Sequence, residues 1–249
     1  MTTNVFNSYS QYYDLLYSDK DYKGEAQFIE DILRRHGVDR GELLELGSGT
    51  GKHGKILGHR GYRVHGIELS PEMIARAIPD ENFSCQQGDV RTIAMGRSYD
   101  AVLSLFHVVS YQTTNSDLLD LFGRASEHLL SDGLFVFDFW YSPAVYVERP
   151  SIRIKRMTDS NLEITRIAEP TIRPNENRVD VNYTIFARQI KTGAVDILKE
   201  THAMRHFSLP EIDLLAQSSG FVRVETCEFL TGNAVGESTW GACVVLKKR

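Results

Sequence analysis

The chain has 249 residues, 42% hydrophobic and 24% charged, with a formal net charge of -5; this is an ordinary folded composition and excludes fibrous and disordered classes. The acidic balance leaves no basic footprint for nucleic acid. The sequence has neither a basic-then-apolar leader nor an apolar run of about 20 residues, so a cytoplasmic protein without membrane contact is expected.

Five tyrosines, Tyr9, Tyr12, Tyr13, Tyr17 and Tyr22, crowd the opening of the chain. Such rings either pack onto a domain with hydroxyls at the rim, or close over a ligand with hydroxyls aimed at charged groups. From Glu25 to His36 the apolar positions Phe28, Ile29, Ile32 and Leu33 follow helical spacing and Gly37 supplies a stop. Leu43 to Leu46 then reads as a strand that turns sharply through Gly47-Ser48-Gly49-Thr50-Gly51 into a helix over Lys52–His59. Alternating glycines permit positive φ and close approach of a ligand. The spacing is G-x-G-x-G rather than the G-x-G-x-x-G of dinucleotide sites, because Lys52 stands where the last glycine would be, and this disfavours a nicotinamide oxidoreductase. Glu45, just ahead of the turn, opposes a phosphate and suits a cation, so an amino-acid-like or adenosyl ligand is expected.

The strand Tyr62–Glu68 follows and closes in an acid, near the interval of about 20 residues at which such an acid meets a ribose hydroxyl pair. Ser70 and Pro71 open a short helix that places Met73 near a ligand's base or in the core. A third strand ends in Gly88-Asp89-Val90. A fourth, Tyr99–Leu105, carries Phe106, His107 and Tyr111 at its carboxyl end, where ligands of open α/β sheets sit. Asp117 to Leu130 reads as a helix, and Leu134 to Phe139 as a fifth strand reached through Asp132-Gly133. After Trp140 the period changes to two: Ser151–Met157, Leu162–Ala168, Val179–Ile190 and Val195–His206 alternate like strands of an antiparallel meander. A helix from Leu209 and the strands Phe221–Phe229 and Gly241–Leu246 complete an α/β doubly wound Rossmann-like sheet. The sheet is therefore expected over residues 1–144 and 208–249, with 145–207 inserted as a lid or dimer interface. Cys85, Cys227 and Cys243 lack any C-x-x-C spacing and are expected to be buried, reduced packing residues.

The glycine turn, Glu68, Gly88-Asp89 and the aromatic strand end, each at the carboxyl end of a strand, resemble the class I S-adenosylmethionine-dependent methyltransferases. In that family Gly47, Gly49 and Gly51 would frame the methionyl part of the donor, Glu68 the ribose, and Asp89 with Val90 the adenine. The full donor-binding set so implied is Tyr13, Tyr22, Glu45, Gly47, Ser48, Gly49, Gly51, Glu68, Leu69, Met73, Asp89, Val90 and Leu105. Tyr13-Asp14-Leu15-Leu16-Tyr17, Lys20-Asp21-Tyr22, Leu105-Phe106, Trp140-Tyr141 and the late insert are similar to the N-methyltransferases of nucleotide-linked aminosugars. The family's Trp-Trp pair stands here as Trp140-Tyr141 and its Ala-Cys-Gly loop as Gly47-Ser48-Gly49. This resemblance implies S-adenosylmethionine as cofactor and a small-molecule amine as acceptor, with His107, Tyr9, Tyr17 or Tyr111 as proton acceptors or simply as packing residues; His53, His202 and His206 are further candidates in principle. The alternatives are a small-molecule O-methyltransferase and a donor-binding module without chemistry. No three histidines and acids have ligand spacing on one helix, so no metal is expected.

Overall fold

The computed structural model describes Tyr12 and residues 15–249. Helix α1 (Tyr22–Arg35) starts where the Asp21 side chain accepts from the Gly24 amide, and it buries Ala26, Ile29, Ile32 and Leu33 on one stripe. Five strands then run parallel in the order β3-β2-β1-β4-β5: β1 (Gly41–Leu46), β2 (Tyr62–Glu68), β3 (Phe83–Gln87), β4 (Tyr99–Ser104) and β5 (Leu129–Tyr141). Helices α2 (Lys52–His59), α3 (Pro71–Ile74) and α4 (Asn115–Glu127) connect them, but β3 passes to β4 through a loop, so the strand-helix-strand alternation is interrupted there.

Side chains alternate across the pleat, which splits the apolar runs between two cores. Leu44, Leu46, Val102, Phe135, Phe137 and Phe139 pack on α4 and on the later α6 (Leu209–Ser218), while Leu43, Ala101, Leu103, Leu134 and Val136 pack on α1 and α2. Helix α4 ends at Glu127 rather than Leu130, because β5 already begins at Leu129 and absorbs the expected turn as an internal distortion at Asp132, φ 63°. β11 (Gly241–Lys248) lies antiparallel to β5, and β10 (Phe221–Glu228) to β11. Cys227 and Cys243 are register partners there, buried and reduced; Cys85 is only half-buried, contrary to expectation.

The insert is an antiparallel meander, β6 (Arg153–Thr158), β7 (Leu162–Arg173), β8 (Arg178–Gln189) and β9 (Val195–Phe207). It is preceded by a short helix, α5 (Ser142–Val147), which the sequence reading did not foresee. β5 outruns β4, whose last partner is Phe137. Beyond that point β9 takes over, pairing parallel as Trp140↔His206 and Tyr141↔Phe207. The two sheets therefore form one curled, mixed sheet. The inner face of the meander buries Ile164, Ile185 and Ala187 against Tyr12, Leu16 and Met73; at about 1.5–3 kcal/mol for each large aliphatic side chain buried, this contact holds the meander over the carboxyl end of the parallel strands. No helix among the described residues is long and apolar enough to cross a membrane.

Candidate active site

The glycine turn leaves β1 with φ of 75°, 54° and 74° at Gly47, Gly49 and Gly51. A Cβ at Gly47 would lie 2.6 Å from Val108 Cγ2, whereas one at Gly49 would meet nothing within 4 Å, so Gly49 marks the open side of the turn. The amides of Gly47 and Ser48 both donate to Ile67 O, and Gly49 N donates to Glu68 Oε2 at 2.9 Å. Ser70 N donates to Glu68 Oε1 at 2.8 Å. Burial pushes the Glu68 carboxyl up, and these amides pull against it. Each oxygen keeps a further lone pair, so two loops hold a two-point acceptor in place.

Tyr22, Gly47, Ser48, Gly49, Thr50, Lys52, His53, Leu105 and Phe106 line a void of about 30 Å³ beside the turn, roughly the share of one water. Lys20 bridges its roof, with Nζ 4.2 Å from the Phe106 ring centre and 4.9 Å from that of Tyr22. Ser48 Oγ is buried without a hydrogen-bond partner among the described residues.

Glu45 is not part of this lining. It is 1% exposed beneath the turn, and burial, reinforced by Glu68 and opposed by the Gly54 amide, pushes its pKa up to about 8. Burial thus favours its protonated form, and its carboxyl faces His53 rather than the void. His53 links it outward, with Nδ1 3.7 Å from Glu45 Oε1 and Nε2 2.7 Å from Glu25 Oε2, and Glu25 pairs with Lys20.

On the far side of Glu68, Leu69 is 57% exposed, and its carbonyl accepts from Gln87 Nε2 at 3.2 Å. Asp89 follows on the neighbouring strand end. Arg91 clamps it, with N and Nε 2.9 Å from Oδ1 and Nη2 2.6 Å from Oδ2, and holds its carboxyl below the usual range. Any new donor must share those oxygens with Arg91, a restraint the sequence did not reveal. Val90 packs on the main core, and Met73 is buried among Tyr12, Leu16 and the meander, the core alternative of the two expected for it.

The carboxyl end of β4 is strained: Phe106 and His107 are consecutive non-glycine residues at φ 62°, a conformation costing on the order of 1–3 kcal/mol each unless the surroundings enforce it. Here Asp138 on β5 enforces it. This fully buried carboxylate accepts the His107 amide at 3.2 Å and lies 2.6 Å from His107 Nδ1. Burial raises its pKa, but the histidine outweighs burial and holds the carboxyl low. The ring nitrogen meets Asp138 at ion-pair distance without hydrogen-bond geometry, so the contact holding the imidazole is electrostatic and the directed hydrogen bonds come from the His107 amide. Asp138 was missed by sequence reasoning; an acid inside the apolar run Leu134–Phe139 was the available signal.

Aromatic rings surround this pair. The Tyr17 ring stands edge-on to Phe106 at 5.3 Å, Trp140 lies 6.2 Å from His107, and Trp240 lies 6.1 Å from Trp140. The meander supplies the opposite wall: His202 Nδ1 lies 2.9 Å from the Tyr111 hydroxyl, His202 Nε2 lies 3.3 Å from Glu200 Oε2, and the Tyr183 ring stands 4.8 Å from that of His202. Burial pushes the Tyr183 phenol up to about 12. Arg166 Cζ lies 5.0 Å from the Tyr183 ring centre, and Arg166 Nη1 lies 3.3 Å from the Tyr17 hydroxyl. Arg166, Tyr183 and Glu200 were also missed; period-2 alternation identified a covered face but not the polar groups on it. His206 is structural, buried against Ser142 Oγ at 2.8 Å with its pKa pushed down to about 4 by burial. Tyr9 and Tyr13 lie outside the described residues.

Residues 43–133 match the family model described as methyltransferase domain. The chain is 29% identical over 178 residues to the dTDP-3-amino-3,4,6-trideoxy-alpha-D-glucopyranose N,N-dimethyltransferase of Streptomyces venezuelae, covering 70% of this chain and 74% of the relative. It is 25% identical over 232 residues to the dTDP-3-amino-3,6-dideoxy-alpha-D-glucopyranose N,N-dimethyltransferase of Streptomyces fradiae, covering 91% and 87%. Its fold matches the S-adenosylmethionine-bound amino pentose methyltransferase CalS10 from Micromonospora echinaspora with a TM-score of 0.77 over 100% of both chains at 22% identity. Residues 43–133 are thus a methyltransferase domain, and the fold around it is that of S-adenosylmethionine-dependent methyltransferases.

The methyltransferase has residues that fit this donor. Glu68 offers two fixed acceptor oxygens for a pair of hydroxyls, Gly49 leaves open space, and the Ser48 hydroxyl is buried without a partner among the described residues. Leu105 and Phe106 line the same void as the glycines, so the strand end bearing His107 adjoins the glycine turn.

Proposed function

We propose that the methyltransferase N-methylates the amine of a small molecule, a nucleotide-linked aminosugar. The observation that carries this reading is the His107–Asp138 pair, set at the carboxyl end of β4 beside the glycine turn and walled by Phe106, Tyr17 and Trp140. The named activities of the two Streptomyces relatives supply the acceptor class.

S-adenosylmethionine, when bound, supplies a methyl group on a sulfonium that already activates it for in-line displacement. The residues of this chain orient, desolvate and move a proton. Glu68 and the glycine turn fix the donor, and rigid positioning provides most of the acceleration such a displacement needs. An amine attacks only with its lone pair free, so His107 Nε2 takes the proton from the ammonium form while Asp138 stabilises the resulting imidazolium. The rings favour positive charge on the acceptor nitrogen by about 0.5–2 kcal/mol each. The meander, residues 145–207, acts as the lid that closes the acceptor side.

The test is methyl transfer from a labelled donor to a nucleotide-linked aminosugar and to the analogue bearing a hydroxyl in place of the amine. Transfer to the amine alone is expected. Transfer confined to the hydroxyl would overturn the amine assignment in favour of an O-methyltransferase, and donor binding without transfer to either would leave a binding module.

A further inference from the structure

We infer that Arg91 is a positioning residue for the methyl donor: it makes Asp89 a fixed, one-sided acceptor whose Oδ2 reads the exocyclic amine of the donor's base. This rests on the reading, implied by the family resemblance, that Asp89 meets the adenine. The hydrogen bonds leave one oxygen for that task. Oδ1 accepts from both the Arg91 amide and Arg91 Nε at 2.9 Å, whereas Oδ2, among the described residues, accepts from Arg91 Nη2 alone, at 2.6 Å. A carboxylate oxygen accepts about two hydrogen bonds. Oδ1 is therefore filled, and Oδ2 keeps a lone pair.

The clamp stands beside the acid expected at the ribose. Gln87 is the register partner of Glu68, and Gly88 N donates to Glu68 O at 2.9 Å, so Asp89 leaves the sheet next to the end of β2. Leu69, the residue after Glu68, is 57% exposed and offers apolar surface for a base at the same end of the sheet.

Stability does not account for the clamp. The loop after β3 is already anchored by Ile93 and Met95, which pack on the main core, and by the Thr92 and Ile93 amides, which both donate to Asp89 O. The Arg91 and Asp89 side chains are both reached by solvent, and such ion pairs contribute little to folding. Yet Arg91 is itself held from behind: Nη1 donates to Asp117 Oδ1 at 2.8 Å, and Thr114 Oγ1 donates to Asp117 Oδ2 at 2.7 Å at the start of α4. A planar fork fixed in this way fixes the plane of the carboxylate it grips. A fixed lone pair accepts from an amine and repels a carbonyl in the same place, whereas a carboxylate free to turn relaxes away from the carbonyl.

The test compares, by calorimetry, S-adenosylhomocysteine with S-inosylhomocysteine, which carries a carbonyl where the amine would be. The wild type is expected to prefer the adenine compound by about tenfold or more. Arg91→Lys keeps the charge but not the fork, and should remove most of that preference. Asp117→Asn loosens only the outer hold on Arg91 and should lower the preference by about twofold to threefold. An amide can turn either its oxygen or its nitrogen to the base, so Asp89→Asn should abolish the preference. If Arg91→Lys keeps the full preference, even with both affinities weakened together, Arg91 is a structural residue and the assignment is overturned, while Asp89 stays at the base provided that Asp89→Asn loses the preference. Should Arg91→Lys bind neither compound, Asp117→Asn decides in the same way. If the wild type shows no preference, or Asp89→Asn retains it, Asp89 does not meet the base, and the role of Arg91 falls with it.

Discussion

The two sides of the proposed site are built from different materials. At the glycine turn, proposed to hold the donor, backbone dominates: positive-φ glycines, and amides from two loops fixing the Glu68 carboxylate. On the side proposed for the acceptor the groups are side chains gathered from separate elements: Asp138 from β5, His107 and Tyr111 after β4, and Arg166, Tyr183 and His202 from three strands of the meander. A backbone-built site is specified by the fold and admits few sequences. A site of side chains changes ligand by single substitutions while the strands that carry it stay in register.

This contrast is broken most severely at Gly47. Gly47→Ala puts a methyl into Val108 at a positive φ, so a loss of about 2–5 kcal/mol of stability is expected in denaturant unfolding, from overpacking and backbone strain together. Gly49→Ala meets no neighbour and should cost about 1–2 kcal/mol in folding; equal losses for the two would show that Val108 does not define the turn. Next in size, Glu68→Ala should weaken S-adenosylmethionine binding by about 2–4 kcal/mol in calorimetry, the worth of two hydrogen bonds to a charged acceptor. Unchanged affinity would remove Glu68 from the site.

Glu45 sharpens the comparison through pH. Its folded pKa of about 8 exceeds the ordinary 4.5, so the folded state holds a proton that the unfolded chain releases. The stability from that proton is fully present below about pH 4.5 and is lost progressively as pH rises to about 8. Glu45→Gln should therefore flatten the stability profile in that window by on the order of 2 kcal/mol or more, measured by urea unfolding at several pH values; a slope identical to wild type would mean that Glu45 is ionised in the fold. The smallest effect expected is on chemistry. His107→Asn should lower turnover by about tenfold near neutral pH, where the acceptor amine is protonated while an imidazole still offers a lone pair, and much less at high pH, where no base is needed. A profile parallel to wild type at every pH would assign His107 to packing.

The same contrast explains what could be read before the structure. The glycine turn and the strand closing at Glu68 were legible because glycine spacing and an acid ending a strand are local patterns, and β1, β2 and the turn between them are contiguous in sequence. The meander was legible as strands, since alternation reports a covered face, but alternation does not say what the face covers. Asp138 hid within an apolar strand, and the Tyr111–His202 contact joins residues far apart in sequence that the docking of β9 brings together. Glu45 was visible, but the upward push on its pKa was not, because that depends on burial beneath a turn and on the nearby Glu68.

That junction sets an order of assembly. The meander's hairpins close over short connections, whereas one edge of β5 waits for β11, the last strand of the chain, and its tip waits for β9. Contacts between distant segments form slowly, and an unpaired apolar strand edge is where chains aggregate. β5 carries Phe135, Phe137 and Phe139, so during synthesis this strand is exposed until Gly241–Lys248 has emerged. A chain truncated before Gly241 would keep every residue of the donor site and yet be expected to accumulate as insoluble aggregate, its strand edge left open to other copies of itself.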